Sequence, residues 1–254
     1  MALIKTMMLF TLVGLSTVVL MPFGILAVIL NLVGLQRFTS LGIYKIAQGW
    51  GLMLIKLVGC KLTVTGREHI IKKGGLCFVS NHGSIFDIVL ILALTGRPVG
   101  FIAKKELAWI PFLNLWILLI GGFFIDRKTD RKSIKRAIAT INAGVRRIES
   151  GGAMIIFPEG TRSKGKGLLP FRPGALKLAT QARAPIIPMT ITGSYDVFER
   201  DGVVRRVPVR VAFEKPIITA ELPPEDLRKN LADQIRGVME AALERGAENG
   251  PIID

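Results

Sequence analysis

The sequence predicts an α/β fold, a central and mostly parallel sheet flanked by helices, behind an N-terminal hydrophobic helical membrane anchor of two helices. Three observations carry the prediction. From Lys61 onward, short β-type runs alternate with helical stretches, the pattern of strand–helix–strand units. Residues 6–36 contain no ionisable side chain, and roughly 20 apolar residues suffice to cross a bilayer. Polar clusters follow three apolar runs, and open α/β sheets bind ligands outside the carboxyl ends of their strands. The expected division is residues 1–60 as membrane-anchoring helices and 61–254 as the α/β domain.

The anchor comes first. Its run includes Leu12-Val13-Gly14-Leu15 and Ile25-Leu26-Ala27-Val28-Ile29-Leu30, interrupted by Pro22-Phe23-Gly24. Proline and glycine kink or break helices, so either a single kinked span or a hairpin dipping into one leaflet fits. The run is long for a cleaved signal and shows no small-residue cleavage site. Basic residues on both flanks (Lys5, then Arg37, Lys45 and Lys56) leave topology open and favour the hairpin. Residues 38–59 read as a second, interfacial helix, with Trp50 at headgroup level.

The domain then reads as strands 61–65 and 76–80, a helix near 85–94, strands 99–103 and 123–126, and a charged helix 131–150. Strand 153–157, helix 174–182, strands 186–192 and 207–213 and helix 224–244 complete it. Residues 107–125 are apolar enough for another span, but Pro111, Asn114 and Gly121-Gly122 interrupt them. A span there would also put two of the polar clusters on opposite sides of a membrane, so a buried or membrane-facing segment of the domain is expected.

Half of the 254 residues are hydrophobic, yet the net charge is +15. A basic surface alone suits nucleic acid or anionic membrane. Beside a long apolar segment it points to a phospholipid membrane and not to nucleic acid, each nearby Lys or Arg contributing on the order of 1 kcal/mol with acidic headgroups. Phosphorylated substrates are attracted by the same charge. Cys60 and Cys77 form no CxxC pair and no metal-ligand cluster, which implies no metal site and suits a reducing compartment.

The chemistry concentrates in Asn81-His82-Gly83-Ser84-Ile85-Phe86-Asp87, which holds one of the two histidines. Histidine takes and returns protons near neutral pH, and a nearby carboxylate can fix its tautomer. The blander reading of His82 is a hydrogen-bonded core histidine. Ser84 and Asp87 also read as a capping box, with Ser84 as N-cap, and both roles for Asp87 are compatible. His69 lacks such company and is expected in a loop. A second polar stretch, Phe157-Pro158-Glu159-Gly160-Thr161-Arg162-Ser163, follows the apolar run Ala153-Met154-Ile155-Ile156. A third cluster, Asp126-Arg127, follows Phe124-Ile125.

These residues resemble the blocks of the glycerolipid acyltransferases. His82 with Asp87 gives the HxxxxD pattern. Phe124-Ile125-Asp126-Arg127, Phe157–Ser163 with its Glu159-Gly160-Thr161-Arg162, and Ile186-Ile187-Pro188 are similar to the other three, in the same order, over roughly residues 40–220. The resemblance implies a membrane-bound acyltransferase. It would move a fatty acyl group from acyl-CoA or acyl-ACP (acyl carrier protein) to the sn-2 hydroxyl of lysophosphatidic acid, giving phosphatidic acid in phospholipid biosynthesis. His82 would be the base and Asp87 its orienting partner. Backbone N–H groups around Gly83 or the glutamate block would receive the oxyanion. Glu159, Gly160, Thr161 and Arg162 would bind the acceptor, Arg162 offering a planar fork for phosphate.

Arg127 is a second phosphate candidate, or a pair for Asp126 or Asp130. Lys105, within Lys104-Lys105-Glu106-Leu107, resembles a family segment and would reach the phosphate or lipid headgroups. Arg131, Lys132, Lys135, Arg136, Arg146 and Arg147 read as a solvated helix face, or as contacts for anionic lipid or an acidic carrier. No cofactor is implied beyond the thioester co-substrate. The site would face the cytoplasm, at the inner membrane in a bacterium. Other acceptors (glycerol 3-phosphate or another lysolipid) and a non-catalytic basic membrane-binding protein are the alternatives. A serine hydrolase lacks its GxSxG elbow.

Overall fold

The ionisable-free N-terminal run folds as two helices, α1 (Ala2–Val19) and α2 (Met21–Leu32), in the computed structural model, which describes residues 2–126 and 130–248. Pro22 lies in the first turn of α2, where its missing N–H removes no helical bond. Leu20 stays helical, its N–H bonded to Ser16 O at 3.0 Å. The proline therefore does not turn the chain back. Reversal comes later, at Val33-Gly34-Leu35, with Gly34 at φ 86°. There α3 (Gln36–Val58) begins and runs back along the first two helices. Trp50 Nε1 donates to Ser16 Oγ at 2.9 Å and Lys5 Nζ to Val58 O at 3.0 Å. Trp50 thus ties the hairpin together.

Met7, Phe10, Leu15, Phe23 and Ile29 are each more than half exposed. So wide an apolar surface, on helices long enough to cross a bilayer, marks membrane association. Gly59, left-handed at φ 73°, ends α3.

The sheet follows. Its strands are β1 (Lys61–Thr65), β2 (Leu76–Ser80), β3 (Val99–Lys104), β4 (Phe123–Ile125), β5 (Ala153–Ile156), β6 (Ile186–Thr192) and β7 (Pro208–Phe213), in the spatial order β1-β7-β6-β2-β5-β3-β4. β6, β2, β5, β3 and β4 pair in parallel, β7 is antiparallel to β6, and β1 is parallel to β7. The carboxyl ends of five strands therefore share one edge. The connections carry α4 (Phe86–Leu94), α5 (Leu113–Leu119), α6 (Arg131–Glu149), α7 (Lys177–Gln181) and α8 (Ser194–Val197), and α9 (Pro224–Lys229) and α10 (Leu231–Glu248) follow β7.

β2 shows why its run is continuously apolar. Leu76 and Phe78 join one core with Val58, Leu90 and Phe213, while Cys77 and Val79 join another with Met154, Leu178, Ile235 and Met239. A strand buried on both faces has no polar side to alternate with.

The structure departs from the sequence reading in three places. The expected helix 224–244 breaks between Lys229 and Leu231, and the helix expected at 174–182 shortens to Lys177–Gln181. Residues 107–125, as expected, belong to the domain and form no span: they make the end of a 3₁₀ turn (Lys105–Trp109), then α5 and β4. α5 packs on α2 at Gly24, where a Cβ would lie 3.4 Å from Leu119 Cδ1. Trp109, Phe112 and Leu118 stay exposed beside it. Finally, Arg147 turns inward from the basic face of α6. Its guanidinium crowds Gly121, where a Cβ would lie 2.2 Å from Arg147 Cζ, and burial lowers its pKa.

The hairpin joins the domain where α3 meets α4. Gly51 is buried there, and a Cβ would stand 3.0 Å from Val89 O and 3.3 Å from Ala93 Cβ. Gly51→Leu is expected to push the helices apart at a cost of about 1–3 kcal/mol. A lowered thermal midpoint of the detergent-solubilised protein checks it, and an unchanged midpoint contradicts the close approach.

Candidate active site

The site begins where β2 leaves the sheet. Asn81 is buried, and its side chain bonds the backbone of one residue twice: Nδ2 donates to Ile191 O and Oδ1 accepts from Ile191 N–H, both at 2.8 Å. This amide extends the β2–β6 pairing by one rung and fixes the exit direction of the chain. His82 follows, with its own peptide held on both sides. Its N–H donates to Glu159 Oε1 at 2.9 Å and its carbonyl accepts from Ser163 N–H at 2.7 Å. The imidazole stacks on Phe157 with centroids 4.1 Å apart. The His82 and Glu159 blocks, distant in sequence, form one unit.

His82 Nδ1 lies 2.8 Å from Asp87 Oδ2. A carboxylate oxygen accepts, so Nδ1 carries the proton and Nε2 is left with its lone pair in the neutral ring. Nε2 makes no hydrogen bond among the described residues, and the side chain is 18% exposed. Asp87 is completely buried at the start of α4. Its Oδ2 also accepts from Gly83 N–H at 2.8 Å and Ser84 N–H at 2.9 Å, while Ser84 Oγ accepts from Phe86 N–H at 3.1 Å. The Asp87 half of the expected capping box and the imidazole support therefore coexist on one oxygen atom, while Ser84 Oγ takes the N–H of Phe86 in place of that of Asp87.

Glu159 is buried with both oxygens occupied, Oε1 by His82 N–H and Oε2 by Leu169 N–H at 3.0 Å. It clamps the loop after β2 to the loop after β5 and does not reach Arg162. Burial raises its pKa, against the two amide donors, which lower it. Gly160 sits at φ 67°, and a Cβ would meet Arg172 Cδ at 2.6 Å, so both conformation and space call for glycine. Arg172 Nε in turn donates to Glu159 O at 3.2 Å. Thr161 is exposed. Arg162 pairs with Glu199, whose Oε2 accepts from Ile85 N–H at 2.8 Å.

Lys105 stands on the same sheet edge, at the end of β3. One strand, β5, separates β3 from β2, which sets it about 10 Å from the His82 strand at ordinary strand spacing. Its Nζ bonds Asp126 Oδ2 at 3.0 Å, with Arg136 at 3.9 Å, and these side chains line a cavity of about 400 Å³ with Phe124 and Thr140. Arg127 lies outside the described residues. Asp130 instead caps α6 by accepting from Ser133 N–H at 3.0 Å. His69, in a short 3₁₀ turn, bonds Phe213 O at 2.8 Å away from the site. Among the described residues no cluster of three His, Cys, Asp or Glu side chains could hold a metal ion.

The sequence places Asn81 in the central motif without giving it a role, and it does not single out Arg172 or Glu199. Asn81 was reachable from its place beside His82. Glu199, 37 residues beyond Arg162 and among ordinary surface charges, gave no local signal.

The Acyltransferase family model matches residues 61–192. The 1-acyl-sn-glycerol-3-phosphate acyltransferase of Cocos nucifera is 35% identical, over 70% of this chain and 56% of that protein. The proteins of the same name from Saccharomyces cerevisiae and Salmonella typhimurium are each 31% identical, the matches covering 85% and 72% of this chain and 70% of each relative. The chain spans between half and two thirds of the length of the plant relatives it matches. The crystal structure of the 1-acyl-sn-glycerophosphate acyltransferase from Thermotoga maritima superposes with a TM-score of 0.79 at 24% identity, over 96% of this chain and 95% of that one. The two share a fold along nearly their whole length, N-terminal helices included.

The raised pKa of Glu159 has a pH consequence. Above the ordinary value of 4.5 the folded protein keeps a proton that the unfolded chain has released. This contribution is full below 4.5 and is lost as pH rises through the folded value. Unfolding free energy is therefore expected to fall with rising pH across that window more steeply in the wild type than in Glu159→Gln. Denaturant titrations at several pH values check it, and parallel curves contradict it.

Proposed function

The chain belongs to the Acyltransferase family, and from that premise we propose that it transfers a fatty acyl group from acyl-CoA or acyl-ACP to the sn-2 hydroxyl of lysophosphatidic acid, forming phosphatidic acid. The observation that carries the reading is the His82–Asp87 pair, with Nδ1 bound to a buried carboxylate and Nε2 left unbonded. A hydroxyl is a poor nucleophile, so a positioned base must take its proton as it attacks. His82 Nε2 removes that proton while the hydroxyl oxygen bonds to the thioester carbonyl carbon. The tetrahedral intermediate then collapses, the C–S bond breaks, and the imidazolium returns the proton to the leaving thiolate. Asp87 balances the imidazolium charge. The nucleophile belongs to the substrate, so no acyl-enzyme is required.

Of the two expected sources of oxyanion donors, Gly83 is disfavoured because its N–H is already held by Asp87. The backbone N–H groups of Thr161 and Arg162 make no hydrogen bond among the described residues, and they take that role here. Glu159 builds the site through backbone contacts, Gly160 admits the close turn, and Arg162, Thr161 and Lys105 bind the acceptor's phosphate end. The motif adds Arg127 as a further phosphate ligand. No metal or cofactor enters the scheme.

Residues 1–60 form the anchor and 61–254 the catalytic domain, a division supported by the family match beginning at Lys61. The exposed apolar helices hold the site at the interface where a lysolipid resides. We place the site on the cytoplasmic side, at the inner membrane in a bacterium, where acyl-CoA and acyl-ACP are available and thiols such as Cys60 and Cys77 stay reduced.

Purified protein in phospholipid vesicles, given lysophosphatidic acid and a labelled acyl donor, is expected to form phosphatidic acid. His82→Ala is expected to lose at least about 100-fold in rate with its circular dichroism unchanged. No product from wild type with either donor overturns the reading, and equal rates overturn the role of His82.

A further inference from the structure

Glu199 touches the site twice. One carboxylate oxygen pairs with Arg162 Nη1, and the other accepts the Ile85 N–H at 2.8 Å. Ile85 lies between Ser84 and Asp87, in the turn whose N–H groups and carboxylate hold His82. A single side chain therefore links Arg162 to the structure around the base. The Glu199 side chain is 16% exposed and that of Arg162 is 39% exposed, so the pair sits at the rim of the site and Arg162 faces solvent in part.

The remaining guanidinium N–H groups of Arg162 make no hydrogen bond among the described residues. A guanidinium carries five donors in one rigid plane. Holding one nitrogen fixes that plane and leaves other donors for an anion. A long side chain held this way has given up its rotamer freedom before the ligand arrives.

The segment bearing Glu199 is itself anchored to the first apolar helix. Phe198 packs edge-on against Phe10 of α1, with centroids 5.0 Å apart, and Val204 N–H donates to Thr6 Oγ1 at 2.8 Å. Glu199 thus stands on a strap with contacts to the membrane hairpin on one side and the polar site on the other.

We propose that Glu199 is a positioning residue for the acceptor: it sets the Arg162 guanidinium relative to His82, so that a phosphate monoester bound by Arg162 presents its neighbouring hydroxyl to Nε2. This rests on the acyltransferase reading above. Glu199 takes no part in the chemistry. It acts through Arg162, and its loss is felt in acceptor binding and not in donor binding.

The test is steady-state kinetics with wild type, Glu199→Gln, Arg162→Ala and the double variant in vesicles, varying lysophosphatidic acid and acyl-CoA separately and following thermal midpoints. Glutamine keeps an acceptor for Ile85 N–H and removes the charge that holds Arg162. Glu199→Gln is expected to raise KM for lysophosphatidic acid about tenfold with KM for acyl-CoA unchanged, and to add nothing once Arg162 is alanine. An unchanged or lowered acceptor KM overturns the proposal. So does a parallel rise in both KM values with a fallen thermal midpoint, which would make Glu199 a brace for the fold. An active wild type with an unaltered Glu199→Gln sinks this inference alone. A wild type that transfers to lysophosphatidic acid from neither donor sinks the acyltransferase reading and this inference with it.

Discussion

One oxygen atom, Asp87 Oδ2, receives the imidazole Nδ1 of His82 and the backbone N–H groups of Gly83 and Ser84. Burying a carboxylate is costly unless donors replace its water. Here three donors on Oδ2 and the positive end of α4 offset that cost, while Oδ1 is buried without a hydrogen-bond partner. The same contacts start the helix, turn the chain between His82 and Asp87, and set the imidazole tautomer. Neither the cap nor the histidine geometry can change without the other, which explains why the two residues lie so close in sequence on a single strand-to-helix turn.

Around that atom the structure separates building from binding. Asn81 fixes the end of β2 against β6. Glu159 joins the backbones of His82 and Leu169, and Phe157 lies flat against the imidazole. These buried groups hold the loops of two strands together at the carboxyl edge of the sheet. Thr161, Arg162 and Lys105, which are more exposed, are left to meet a ligand. The glutamate of the second block therefore belongs with the scaffold, and in the proposed scheme its neighbours Thr161 and Arg162 meet the substrate. A carboxylate beside a proposed phosphate-binding arginine, puzzling in the sequence, is explained by where it points.

Much of this was legible from residue order, and the limits have physical causes. β1, β2 and β6 were readable to the residue: β2 and β6 because strands buried on both faces are mostly apolar runs between turn residues, and β1, which is only partly buried, because Leu62, Thr63, Val64 and Thr65 are strand-favouring residues ending at Gly66. That His82 and Glu159 share a site followed from both standing at strand ends. The sheet order was not readable, since placing β5 between β2 and β3 depends on pairings remote in sequence. Pro22 looked like the turn of the hairpin, but a proline in the first turn of a helix breaks nothing, and Gly34 makes the reversal. Arg147, one of six basic residues placed on one solvated face, proved partly buried against Gly121, because no local pattern distinguishes it from its neighbours. Glu199 was invisible for the same reason: its meaning comes entirely from contacts with Arg162 and Ile85.

The hairpin and the site are parts of one arrangement. α3 packs on α4 through Gly51, and α4 begins with Asp87 in its first turn, so the membrane-facing helices and the base are fixed to the same element. The most direct test of that arrangement is the single-turnover rate of acyl transfer by an Asp87→Asn protein whose circular dichroism matches wild type. An amide oxygen carries no full charge with which to stabilise the imidazolium. The account predicts a fall of at least about 100-fold. A rate within about threefold of wild type would contradict it and show that His82 does not depend on Asp87.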